Sequence, residues 1–421
     1  MVIAKLESVN YFLGVDLRIE NLAIFFRFQS AVNFFRVITF LGNWQFVFPV
    51  TALICLALWK YKKFKYIFPL LLTTAGGHLC NSILKATFEK QRPLLSLVSE
   101  TSFSFPSGHA VISIAFYGLL IYFALQILKS KLLRFLVIFL GFILIFLIGF
   151  SRIYLTAHFY SDVLAGFILG FIWLMFGILC FKSLSLKINK LIIPAFSALL
   201  ILVTSLFFFT LSHPLAPAPL KTVISANVLG TFKKENLPKF TEKLSGAYQQ
   251  PLSFFIVAKD DQELIDVFNK EGWALTERFT ISNAIRMAEA AAENKPYSKG
   301  FITPALWHYQ AQAFSFAKAT PENTIRIRHH CRFWKTNIKT KDKKTLYTGY
   351  CSFDKGIKKW LVTHEIDPDL DKERDFLFKD IINTKRVNSF EKFNFVGPTK
   401  GRTLQGDYFY TDGKAYLIYL K

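Results

Sequence analysis

The sequence predicts an all-α membrane helix bundle of about six transmembrane helices followed by a soluble α+β C-terminal domain, and three observations predict it. Hydrophobic residues make up 52% of the 421, with 47 phenylalanines, more than an ordinary soluble core uses. That excess gathers between residues 44 and 211 into near-chargeless runs, each about as long as a helix needs to cross a bilayer. Beyond Leu211 the runs stop, and shorter segments of mixed period take over.

The runs fall at about 44–59, 64–84, 109–128, 132–150, 161–181 and 191–211, with charge confined to their connections. A large buried core in a soluble protein would not string so many together. Residues 22–43 are apolar but carry Arg27 and Arg36, which would cost a few kcal/mol each near a bilayer centre. Residues 1–43 are therefore expected to form an amphipathic segment on the membrane surface. The start lacks a basic n-region, short apolar h-region and small-residue cleavage site, so the first span is expected to act as insertion signal. The expected divisions are 1–43; a membrane domain, 44–190; an additional transmembrane helix, 191–211; and a soluble extracytoplasmic domain, 212–421.

Loop charge orients the bundle. Connections after the odd-numbered spans hold Lys60, Lys62, Lys63 and Lys65, then Lys129, Lys131 and Arg134, then Lys182, Lys187 and Lys190. The positive-inside rule makes that face cytoplasmic. Connections on the other face carry three motifs: Lys85, six residues, Arg92-Pro93; then Pro106-Ser107-Gly108-His109; then Ser151-Arg152, five residues, His158, three residues, Asp162. That face, and the tail after residue 211, are expected in the periplasm of a bacterial inner membrane.

Two histidines, a carboxylate and three cations suit phosphoryl transfer through a phosphohistidine. His158 and Asp162 are four apart and share one face of a helical turn. The carboxylate can accept a proton from one imidazole nitrogen, leaving the other lone pair to attack phosphorus, so His158 is the expected nucleophile and Asp162 its partner. His109 is the expected general acid and base for the leaving oxygen and then for water. Lys85, Arg92 and Arg152 supply charge for a phosphate, Ser107 a hydroxyl, and Gly108 room for helix-terminal amides to approach it. No metal or other cofactor is expected. His78 and Asn81, within the second span, are expected to satisfy hydrogen bonds inside the bundle.

Lys85 through Asp162 resemble the three-part signature of the type-2 phosphatidic acid phosphatase superfamily, which includes membrane lipid phosphatases, bacterial polyprenyl-diphosphate phosphatases and soluble vanadium haloperoxidases. Every signature letter is present, and the resemblance spans roughly residues 10–185. It implies the same roles: His158 as nucleophile, Asp162 as its partner, His109 as proton donor, and Lys85, Arg92, Ser107, Gly108 and Arg152 around the phosphate. Family members in membranes usually begin with a further span, whereas here only about fifteen residues precede the segment at Asp16.

His213 to Leu220, with three prolines, reads as a linker. Beyond it, 252–259, 325–334 and 346–353 read as strands, 261–271, 282–293 and 370–383 as helices, and Asp412-Gly413 as the turn of a terminal hairpin. The run from Arg328 to Trp334 and Thr363-His364-Glu365-Ile366-Asp367 resemble the LssY-type C-terminal domain fused to some bacterial membrane phosphatases. A metal site from His330, His364 and Asp367 is disfavoured, because adjacent His329 and His330 on a strand point to opposite faces; a structural or lipid-headgroup-binding role is preferred. Cys331 and Cys351 are candidates for a disulfide in an oxidising compartment. The tail holds 33 Lys and Arg against 23 Asp and Glu, a surplus that would draw anionic headgroups or glycans.

The expected activity is hydrolysis of a phosphate or diphosphate on an outer-leaflet lipid, with undecaprenyl diphosphate or another polyprenyl diphosphate leading, and phosphatidate-type lipids and lipid A phosphate behind. The expected partners are that lipid substrate and the bilayer, not nucleic acid, with an envelope protein or glycan as the partner class for the tail. Two rival readings are a lipid phosphotransferase using the same phosphohistidine, and a non-catalytic membrane-anchored binding module.

Overall fold

The structure, a computed structural model, describes residues 2–185, 221–358, 364–403 and 405–421. The chain divides into two compact units, Met1–Pro217 and Ala218–Lys421. The expected sixth span at 191–211 and the linker lie outside the described residues.

The first unit is helical: α1 Val2–Phe25, α2 Gln29–Phe40, α3 Trp44–Lys60, α4 Ile67–Phe88, α5 Gly108–Ile112, α6 Gly118–Ile127, α7 Lys131–Tyr154 and α8 Tyr160–Ser185. A π-helical turn, Ser113–Tyr117, joins α5 to α6, so that Gly108–Ile127 runs as one rod. Four rods are long and apolar enough to span a bilayer, at Phe64–Phe88, Gly108–Ile127, Lys131–Tyr154 and Tyr160–Ser183. A fifth arises only if α2 and α3, bent by 42° at their junction, count together. The run at 44–59 is thus half of a broken rod, and six spans are not reached among the described residues. Large apolar side chains of α7, Phe135, Phe139, Phe142 and Phe146 among them, face outward, as lipid contact requires.

Two findings bear on the site, the first of them a correction. The expected surface segment over 1–43 is two helices, and α1 carries Asp16, only 3% exposed, into the bundle against α7 and α8. Ser161 at the head of α8 donates its amide (2.8 Å) and its hydroxyl (2.5 Å) to the Asp16 carboxylate. The other concerns how α8 meets α5. A Cβ at Gly166 would stand 2.6 Å from the Ser107 carbonyl oxygen, and one at Gly170 2.5 Å from that of Val111. This small-xxx-small stripe lets the two backbones touch, which brings Asp162 beside Ser107, whose amide donates to the Asp162 carbonyl (2.9 Å).

The second unit is built on a nine-stranded sheet. Its central ladder is Phe254–Ala258 against Thr345–Ile357 against Ile327–Lys339, all antiparallel, with Lys414–Leu420 parallel to Phe254–Ala258. The helices Asp261–Lys270 and Leu370–Asn383 bury Leu264, Phe268, Leu377 and Ile381 in a core shared with Phe254, Phe316 and Phe333 on the sheet. Each expected strand and helix of the tail is present within a few residues of its expected place. The terminal hairpin is not. Asp412-Gly413 does turn the chain, but Tyr408–Thr411 pairs with Thr399–Arg402 while Lys414–Leu420 pairs with Val387–Asn394. Gly413 is required there: its φ is +76°, and a Cβ would lie 2.4 Å from the Val396 carbonyl oxygen. Cys331 and Cys351 stand directly opposite each other on neighbouring strands, and both are buried free thiols.

Candidate active site

Four elements converge at one end of the helical unit. α4 delivers Lys85 in its last turn and stops at Glu89, whose φ of 48° is left-handed. The following loop is tied down by long-range backbone bonds, from Ser104 N to Lys90 O (2.7 Å) and from Leu97 N to Leu155 O (3.0 Å). Ser107 precedes α5 in extended conformation without capping it, and its buried hydroxyl has no hydrogen-bond partner among the described residues. Arg152 ends α7, His158 sits in the α7–α8 turn, and Asp162 occupies the first turn of α8.

His158 is held on three sides. Its Nδ1 lies 3.6 Å from Asp162 Oδ2 and 3.4 Å from Ser104 Oγ, and Ser104 Oγ itself donates to that carboxylate oxygen. Two acceptors at Nδ1 place the ring proton there, so the lone pair is on Nε2, 3.1 Å from an Arg92 Nη1. Burial pushes the imidazole down to about 3, the nearby Arg92, Lys85 and Arg152 adding to the effect against Asp162. The ring is therefore neutral at neutral pH, as a nucleophile must be.

Asp162 Oδ2 also accepts from the Phe159 amide (3.0 Å), and its Oδ1 pairs with Lys90 Nζ (2.8 Å). The ammonium reaches Asp16 as well (3.3 Å) and donates to Ser161 Oγ (2.9 Å). Burial opposes the charge on Lys90, and the two carboxylates overcome it, holding its pKa above the ordinary value. Sequence reasoning passed over Lys90, Ser104 and Ser161, and noticed Asp16 only as a landmark. The available signal was a lysine five residues past Lys85 in a segment already singled out.

The arginines meet over another unforeseen residue. Glu100 Oε2 lies 2.6 Å from Arg92 Nη2, and its other oxygen accepts from Arg152 Nη2. Arg152 also donates to Thr39 on α2 (2.8 Å), and its Nε has no hydrogen-bond partner among the described residues. Arg92 donates to the carbonyls of Ser102 and Ala157, both at 2.7 Å. Against the upward push of burial, Arg152 foremost and then His158 and Arg92 keep the Glu100 carboxyl below its usual range. Glu100 thus bridges two guanidinium forks with one carboxylate.

Lys85, Gly108, His109, Arg152 and His158 line one cavity of about 550 Å³, together with Glu100. Lys85 donates to the carbonyls of Phe103 and Ser104, which aims the ammonium at that space. His78 and Asn81 line it too, rather than lying among the bundle's internal bonds. His78 packs on Phe48, and the Asn81 carbonyl oxygen has no partner. A Cβ at Gly108 would meet the Asn81 amide at 3.0 Å, so glycine there keeps the helix terminus open. All eight expected site residues therefore gather at one place. Among the described residues, no three His, Cys, Asp or Glu converge as a metal site; the set His330, His364 and Asp367 does not assemble, since Asp367 is turned to the Asp369 amide (2.9 Å).

Residues 66–185 match the model of the PAP2 superfamily, and residues 234–415 match that of the LssY C-terminus. Phosphatidylglycerophosphatase B of Bacillus subtilis is 34% identical over 173 residues, which are 40% of this chain and 85% of that protein. Among solved structures, a transmembrane PAP2-type phosphatidylglycerolphosphate phosphatase from Bacillus subtilis is 32% identical, covering 42% of this chain and 86% of its own, with a TM-score of 0.38. LpxE of Aquifex aeolicus is 28% identical, covering 39% and 92%, with a TM-score of 0.29.

Proposed function

Since the chain belongs to the PAP2 superfamily, an integral membrane protein whose relatives are membrane lipid phosphatases, we propose that it hydrolyses a lipid phosphate through a phosphohistidine on His158. The observation that carries this reading is the neutral His158 ring, backed at Nδ1 by Asp162 and Ser104 and facing Arg92 with Nε2, in one cavity with His109.

In the proposed cycle the substrate phosphate displaces Glu100 from Arg92 and Arg152 and draws Lys85 and the Ser107 hydroxyl to its oxygens. The Nε2 lone pair attacks phosphorus while the bond to the lipid oxygen breaks, and His109 delivers a proton to that oxygen. The phosphohistidine carries the phosphoryl group as the dephosphorylated lipid leaves. His109, now neutral, takes a proton from water, whose oxygen attacks phosphorus and releases inorganic phosphate and free His158. The negative charge that grows on the transferring group is met by preorganised cations, with Lys85, Arg92 and Arg152 in the roles a metal plays elsewhere. The leading substrate remains a polyprenyl diphosphate; the named relative brings phosphatidylglycerophosphate to the same panel, beside phosphatidate and lipid A phosphate. The basic connections 60–65 and 129–134 lie at the helix ends away from the site, which supports a periplasmic site; a further span over 191–211 would carry the tail to the same side.

The test is phosphate release by the purified chain from that panel, with and without chelator. Release that survives chelator, disappears in His158→Ala and His109→Ala, and leaves an acid-labile phosphoenzyme on quenching is the expected result. Release from none of the lipids, or loss in chelator, overturns the reading. A reporter fused after Leu220 should give a periplasmic signal; a cytoplasmic one reverses the orientation.

A further inference from the structure

The second unit holds a cavity of its own, about 220 Å³. Arg328, His330 and Arg332 alternate along one strand, opposite Asp354, Ser352 and Tyr350 on the next, so strand periodicity turns all six to one face. All are buried. Asp354 engages Arg328 and the imidazoles: its carboxylate lies 3.3 Å from both Arg328 Nε and His330 Nδ1, and 3.8 Å from His364 Nδ1. His364 is braced from behind by the Ile325 carbonyl at Nε2 (3.0 Å).

Arg332 is different. Among the described residues no carboxylate lies within ion-pair distance of it. Its guanidinium donates to the Thr303 carbonyl (3.2 Å), the Tyr350 hydroxyl (3.1 Å) and Thr303 Oγ1 (3.4 Å). A guanidinium has five N–H donors, so two remain unspent on a buried cation that lines a cavity. Such a charge without a counterion is costly. Gln249, on the strand Tyr248–Pro251 and lining the same cavity, has a buried side-chain nitrogen with no acceptor among the described residues. Unspent donors on two elements around an uncompensated cation call for a ligand that is anionic and only accepts hydrogen bonds. The oxygens of a phosphate meet donors from two directions, whereas a planar carboxylate is satisfied by the arginine fork alone. The lining also includes the apolar Ala284, Met287 and Phe301, which suit an organic substituent.

We propose that this cavity is a binding site for a phosphate monoester, gripped by Arg332 and Gln249, with Asp354 clamping Arg328 and His330 alongside. The monoester can be a lipid headgroup or a small soluble phosphate, and the chemistry of recognition is shared.

The experiment uses the full chain in detergent carrying Arg152→Met, so that the membrane site is weakened, and measures radiolabelled orthophosphate by equilibrium dialysis. About one phosphate per chain should remain bound. Arg332→Met should weaken it at least tenfold, and Gln249→Leu several-fold, with the thermal midpoint of the Gln249→Leu protein unchanged. Nanodiscs containing phosphatidate, but not phosphatidylcholine alone, displace the label if the source is a headgroup; glycerol phosphate does so, and phosphatidate does not, if the ligand is soluble. No bound phosphate in the Arg152→Met chain overturns the proposal. So does unchanged binding in Gln249→Leu, or displacement by acetate as effective as by glycerol phosphate.

Discussion

Each unit of the chain buries a histidine against an aspartate among arginines, and the two clusters are wired differently. In the helical unit, Asp162 is served by Lys90, Ser104 and the Phe159 amide, so His158 is oriented by a carboxylate already satisfied elsewhere. Its arginines share Glu100, a side chain that a stronger anion can displace. In the tail, Asp354 is clamped by Arg328 and His330 on a rigid ladder, and the cation left over, Arg332, has no carboxylate to give up among the described residues. On the proposed readings the first arrangement exchanges one anion for another within a reaction cycle, and the second only gains one. A His–Asp pair is therefore not a function. What surrounds its second nitrogen and its neighbouring cations decides between turnover and retention.

The largest expected effect falls on turnover. His158→Ala should lower the rate of phosphate release by at least about 10⁴-fold, while the fold, followed by circular dichroism, stays intact; His330→Ala should leave the rate unchanged. If His330→Ala is as damaging, the contrast between the two clusters is wrong. Next comes Lys90→Met, which strands Asp162 and Asp16 in a buried place. Removing one partner of a buried pair costs about 3–5 kcal/mol, visible as a large drop in the thermal midpoint in detergent.

The tail cluster predicts a pH response. Burial, with Arg332 and Arg328 adding to it against Asp354, lowers His330 to about 4 from its ordinary 6.5. The unfolded imidazole takes up its proton near 6.5 and the folded one only near 4, so the unfolded state binds more protons between those values. Stability should be full above about 6.5 and decline as pH falls toward 4, by about 3 kcal/mol in all. Denaturant unfolding of the tail at several pH values measures this, and His330→Gln should flatten the decline.

Gly166→Ala tests the approach of α8 to α5. Its methyl would press on the Ser107 carbonyl, at a cost of about 1–3 kcal/mol, and should lower phosphate release by displacing Asp162 from its partners. The smallest effect separates the two wirings most directly. Glu100→Gln removes the carboxylate that competes for Arg92 and Arg152, so inhibition by inorganic phosphate should tighten about fivefold, near 1 kcal/mol. Weaker inhibition would mean that Glu100 positions the arginines instead of yielding them.

How much of this was legible in the chain depends on the range of the interaction. The apolar runs, the helix ends at Lys85 and Arg152, the four-residue spacing of His158 and Asp162, and the alternation that parts His329 from His330 are properties of neighbours along the chain. The amino-acid sequence by itself determined them, because helix and strand periods are short and bilayer thickness is constant. Glu100, Ser104 and Lys90 lie in a loop with no period to read. Only the tertiary structure decided that Glu100 bridges two arginines, that Asp16 reaches the Asp162 carboxylate through Lys90, and that the chain at Asp412-Gly413 leaves one sheet for another. It also decided that Arg332, among the described residues, is a cation with no carboxylate beside it. These outcomes turn on which distant groups share a buried site, where the energy of a charge is set by what lies within a few ångströms in space.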